Sequence, residues 1–216
     1  MLTRGRLGQL AAEFLGAGLL VMIALVLSET TSVSYFVATS LAITLIAAYT
    51  IFAPVSGAHL NPAVTFGLWT ARRIRTIPGL AYIAAQVLGG LGALLLYQYF
   101  TDHSIASKAA TFSWPMFVAE VVGAFVLVLG FTAAVSRTVD VLHSALTYGA
   151  SLFVGVMVAA TATAAYINPA IALGQNNGSW LYILGPLVGG LLAVNLYDLL
   201  FTSKKIWWIN YLRTKR

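Results

Sequence analysis

The residues that could do chemistry in this chain are few, and most stand alone. Glu13 and Glu120 are ionisable groups inside long apolar runs, and His59 lies two residues before the tripeptide Asn61-Pro62-Ala63. The same tripeptide returns as Asn168-Pro169-Ala170, again in apolar surroundings. A carboxylate at membrane depth points by default to function, a proton relay included, and a histidine can sense pH. The other two histidines, His103 and His143, share no ligand spacing with His59, so no metal site is expected. There is no cysteine, which excludes disulfides, thiolate metal sites and thiol catalysis. No nucleophile–base pair or phosphate loop can be assembled, so neither an enzyme nor a cofactor is expected. What remains is the repeated Asn-Pro-Ala. Asparagine is a good helix N-cap, and proline suits the first helical position because its missing N–H has no partner there anyway. Each copy therefore reads as the start of a helix.

The elements that carry these residues are membrane helices. Of the 216 residues 60% are apolar and only 8% charged, where a soluble domain carries about a quarter charged. Apolar stretches fall near 8–28, 35–55, 78–100, 114–135, 144–163 and 180–202, each about the length that crosses a hydrocarbon core. Two further pieces, about 60–70 and 167–175, are too short to cross. The first stretch follows Arg4 and Arg6 as a signal peptide would. Glu13 within it, and the lack of a small-residue cleavage site, favour a retained helix. The net charge of +6 does not point to nucleic acid, because the basic residues gather at segment ends. With six spans the termini share a side with the breaks at 71–75 and 136–143. That side holds eleven of the twelve lysines and arginines, Lys108 being the exception. Both termini are therefore expected to be cytoplasmic.

An internal repeat organises these spans. Glu13-Phe14-Leu15-Gly16-Ala17 aligns with Glu120-Val121-Val122-Gly123-Ala124, and Asn61 with Asn168, both at an offset of 107. Later, Gln86-Val87-Leu88-Gly89-Gly90 resembles Pro186-Leu187-Val188-Gly189-Gly190 at an offset of 100. The chain thus reads as one transmembrane domain over 1–216, with repeats over about 7–100 and 114–202. Each repeat has three spans, an odd number, so the second inserts upside down relative to the first. Inversion brings the two Asn-Pro-Ala helix starts together near the midplane, both positive dipole ends aimed at one spot. Irregular backbone at that depth is tolerated only where it is buried or lines a wet cavity. The expectation is an all-α membrane protein of six spanning helices and two re-entrant half-helices in an inverted repeat.

On these residues the chain resembles the aquaporins, the major intrinsic protein family. The carriers are Ser56-Gly57-Ala58-His59-Leu60-Asn61-Pro62-Ala63-Val64-Thr65 and Ile167-Asn168-Pro169-Ala170, with Glu13, Glu120 and the Gly-Gly pairs of spans three and six. The resemblance covers essentially the whole chain. It implies a homotetramer of independent pores passing water or small uncharged solutes. It also implies that Glu13 and Glu120 hold the re-entrant loops by accepting hydrogen bonds. His59 becomes a loop-stabilising residue with a pore-facing carbonyl rather than a pH sensor. One position departs from the pattern. The family normally follows the second motif with an arginine that lines the outer constriction, and here Ile171 stands there. Counted from the motifs, the other three constriction positions fall on Leu41, Val156 and Ala165. All four are apolar. Such a ring gives a passing water few hydrogen bonds and can close by dewetting. The expectation is a weak water conductor, more permissive to gases or less polar neutral solutes. The alternative from another class is a non-conducting scaffold of the same fold.

The other notable residues have plainer readings. Asp198 is expected to reach interfacial water or to pair with the lysines after it. The tail from Lys204 to Tyr211 mixes basic and aromatic residues as an interfacial anchor does. Gly16, Gly89, Gly90, Gly123, Gly189 and Gly190 are expected to let helices approach closely in lipid.

Overall fold

The computed structural model describes residues 3–137 and 139–202. Among these residues eight helices follow in order: α1 (Arg4–Thr30), α2 (Ser34–Ser56), α3 (Pro62–Thr70), α4 (Thr76–Thr101), α5 (Trp114–Ser136), α6 (Val141–Ala159), α7 (Pro169–Gly174) and α8 (Trp180–Phe201). All but α3 and α7 are long and apolar enough to cross a membrane, and no strand occurs among the described residues. The shortest crossing helix, α6, has 19 residues, about 29 Å at the helical rise, which matches a hydrocarbon core of about 30 Å. The 6 residues of α7 reach only about 9 Å.

The packing is the same after the two repeats are exchanged. α1 packs on α2 and α4 as α5 packs on α6 and α8, and α2 meets α6 across the pseudo-two-fold. Each half-helix leans on the last helix of the other repeat, α3 on α8 and α7 on α4. Glycine permits that crossing. A Cβ on Gly90 would stand 2.7 Å from the Ala170 carbonyl oxygen, and one on Gly190 would overlap the Ala63 carbonyl oxygen. The long helices are thus pressed directly against the Asn-Pro-Ala turns.

Helix ends differ from the hydropathy reading where polar groups find partners. α1 begins at Arg4, capped by the Thr3 hydroxyl, and continues through Ser28-Glu29 to Thr30. α6 begins at Val141, where Asp140 accepts from the His143 amide at 2.9 Å. It stops at Ala159, four residues before the end of the apolar stretch, and Thr163 beyond it is held by Glu120. Hydropathy averages such residues into the span, whereas hydrogen bonding takes them out of the helix.

Asp198 has a partner among the described residues that was not expected from sequence. Its carboxylate takes both arms of the Arg73 guanidinium, the Nε bond being 3.2 Å, so the turn after α3 is tied to α8. The lysines and the tail from Lys204 lie outside the described residues. Both partners are about one-fifth exposed, and a forked pair of this kind is worth roughly 1 kcal/mol at such exposure. Asp198→Asn is therefore expected to lower the thermal midpoint slightly. A double-mutant cycle with Arg73→Lys should return a coupling energy of that order.

Candidate functional site

The centre of the site is a reciprocal pair of helix N-caps. Asn61 Oδ1 accepts from the Ala63 amide at 2.8 Å, and Asn168 Oδ1 accepts from the Ala170 amide at 2.9 Å. The carboxamide nitrogens cross over. Asn61 Nδ2 donates to the Ile167 carbonyl, and Asn168 Nδ2 donates to the Leu60 carbonyl, each at 3.2 Å. Each NH2 carries two hydrogens, and these bonds use one of them on each amide. Pro62 and Pro169 open the helices without an orphan N–H, and Ala63 and Ala170 are fully buried. The two N-termini are thereby pinned to one another, and their dipoles converge there.

The backbone that delivers these caps is strained in matching places. Ala58 and Leu60 have φ of 49° and 54°, and Ala165 and Ile167 have φ of 53° and 43°. For residues with a Cβ this left-handed region costs of order 1–3 kcal/mol each, most of all for the β-branched Ile167. The surroundings over-determine it. Glu13, fully buried, accepts at Oε1 from the Ser56 hydroxyl (2.7 Å) and the His59 amide (3.0 Å). Its Oε2 accepts from the Leu60 amide (2.8 Å) and the Gln86 amide side chain (2.6 Å). Glu120, also fully buried, accepts from the Thr163 hydroxyl (2.6 Å), the Tyr166 amide (3.1 Å) and the Ile167 amide (2.7 Å). One carboxylate thus holds each loop by the amides next to its strained residues.

His59 is buried, with Nδ1 3.1 Å from the Thr65 hydroxyl and its ring between Tyr82 and Phe131. Its carbonyl accepts from the Tyr148 hydroxyl at 2.8 Å. Leu41, Val156, Ala165 and Ile171 are all buried members of the main apolar cluster. Lys108 lies further out, its ammonium 3.5 Å from Gln175 Oε1 and 3.9 Å from Glu29. Gln175 caps α7 one turn beyond Ile171.

Several site residues were not expected from sequence. Ser56 and Thr163 both serve the carboxylates, and their spacing of 107 could have found them. Gln86 bridges Glu13 and Thr65, donating to the latter at 2.9 Å, yet its counterpart in the second repeat is Pro186, so the repeat gives no hint of it. Ile105 is buried in the segment before α5, and its carbonyl accepts from Asn176 at 2.9 Å.

Two facing helix starts are pinned to one another inside an inverted six-helix frame, and that frame is the frame of a passive membrane channel. Sequence comparison gives the family. A profile described as "Major intrinsic protein" matches residues 2–197, and the chain belongs to that family. It is 35% identical over 175 residues to Aquaporin TIP2-1 of Arabidopsis thaliana, covering 73% of this chain and 68% of that one. It is 33% identical over 165 residues to Aquaporin-4 of Bos taurus, covering 69% of this chain and about half, 51%, of the relative. The fold is similar to the X-ray structure of the aquaglyceroporin from Plasmodium falciparum, with a TM-score of 0.74, 19% identity, and coverage of 90% and 96% of the two chains.

Proposed function

We propose that this channel passes water slowly and favours less polar neutral solutes, gases included. One observation carries the reading. Ile171, the third residue of α7, is buried in one apolar cluster with Leu41, Val156 and Ala165. A water molecule entering such a ring gives up hydrogen bonds without replacement, and an apolar neck of this kind tends to dewet. Less polar solutes give up less. With no fixed charge at the ring, exclusion of protons and cations rests on the converging dipoles of α3 and α7. We further propose that the chain assembles as a homotetramer with one pore per chain, which the family resemblance supports. We also propose that both termini are cytoplasmic, supported by the gathering of eleven of the twelve lysines and arginines in the terminal segments and the breaks at 71–75 and 136–143.

Ile171→Arg tests the reading. In proteoliposomes under a sucrose gradient the variant is expected to conduct water about tenfold faster than the wild type, the scale of a hydrogen bond to a charged group. Ile171→Ser, which adds a donor without a charge, should move in the same direction by less. Water flux unchanged in both folded variants would contradict the proposal.

A further inference from the structure

The repeat offset has a consequence at the other end of the path. Adding or subtracting 107 carries Leu41 to Tyr148, Val156 to Tyr49, Ala165 to Ala58 and Ile171 to Val64. Those four images are buried in the same apolar cluster as the outer four. The exchange is structural as well as arithmetical, since the caps, the strained φ angles and the carboxylate contacts all repeat at that spacing. An inverted repeat therefore places a second set of four at the same distance from the centre, in the opposite half. Two of its members are aromatic.

The rings are packed together there. Tyr49 and Tyr148 stand edge to face with centroids 5.8 Å apart, and Phe131 lies 4.9 Å from Tyr148 and 6.4 Å from Tyr49. His59 closes the group, 5.5 Å from Phe131. Tyr148 is also pinned, because its hydroxyl donates to the His59 carbonyl, the carbonyl that the family resemblance assigns to the pore. Leu41, which occupies the mirrored place, has no hydroxyl to offer the Tyr166 carbonyl. The outer set is thus aliphatic and compressible, whereas the inner set holds two flat rings fixed by aromatic packing and one hydrogen bond.

We propose that Tyr148 and Tyr49 form an inner constriction that sets the size limit of this channel, the outer ring setting its tolerance for polarity. This rests on the passive-channel reading and adds a second selecting element in series. Tyr148→Leu and Tyr49→Val copy into the inner half the residues that the chain itself uses in the outer half. The experiment measures water, urea and glycerol permeability of proteoliposomes by stopped flow, with size-exclusion profiles confirming fold. Each variant is expected to raise glycerol flux about tenfold, a factor that pocket shape commonly confers, with urea between and water changing least. Tyr148→Phe keeps the ring but frees it from the His59 carbonyl, and should fall between wild type and Tyr148→Leu. Glycerol and urea fluxes at the wild-type level in all three folded variants, while Ile171→Arg alters water flux, would overturn the inner constriction and leave the channel reading intact. No flux of any solute above empty vesicles in wild type and every folded variant would overturn both.

Discussion

Glu13→Gln is expected to abolish flux and to lower the thermal midpoint sharply. The carboxylate accepts four hydrogen bonds at full burial, two of them from backbone amides of the loop before Asn61. A carboxamide has one acceptor oxygen, and its NH2 would face donors. At least two donors then lose their acceptor, at about 1–3 kcal/mol each. Leu60, held at a φ of 54°, loses its anchor at the same time. A total of roughly 3–5 kcal/mol follows, enough to release the half-helix start. Glu120→Gln should cost less, since Glu120 accepts three such bonds and has no counterpart of Gln86. Thermal unfolding in detergent and water flux in proteoliposomes check both. A Glu13→Gln protein that melts like the wild type and still conducts would remove the loop-holding role.

Gly190→Ala is the second large effect. The added methyl would overlap the carbonyl oxygen of Ala63, a backbone atom in the first turn of α3. Neither α8 nor that turn can yield without displacing the Asn61 cap, so the cost lies at or above the roughly 1–3 kcal/mol of ordinary overpacking. Gly90→Ala meets the Ala170 carbonyl at 2.7 Å and should be milder. Gly178→Ala, with no heavy atom of the described residues within 4 Å, should be neutral. Thermal midpoints in the order Gly178→Ala, Gly90→Ala, Gly190→Ala, from highest to lowest, are the expected result. An unaffected Gly190→Ala protein would mean that α8 does not brace the motif.

The spans and the two half-helices were legible because each leaves a local mark. An apolar run of membrane length needs no partner to be recognised, and Asn-Pro states a helix start within two residues. The inversion was legible because the same marks recur at one spacing. The ends of α1 and α6 were not, since they depend on which polar groups find acceptors. Thr163 has the look of a span residue until Glu120, 43 positions away, takes its hydroxyl. The pairing of Asp198 with Arg73 joins residues 125 apart and carries no periodic trace, so the nearer lysines drew the expectation instead. Gln86 was hidden for a different reason, because its function is absent from the second repeat. Tyr49 and Tyr148 were readable by the offset of 107, but only once the positions of the outer ring had been fixed by resemblance.

The most direct test is stopped-flow permeability of the unmodified protein in proteoliposomes, first under a sucrose gradient and then with a neutral solute that carries fewer hydrogen-bonding groups than urea, such as acetamide. Flux above empty vesicles is expected for both, with a solute-to-water ratio that falls when Ile171 is replaced by arginine. Flux at the level of empty vesicles for water and for every neutral solute tried, from protein that elutes as a folded species, would contradict it and put a non-conducting scaffold in its place.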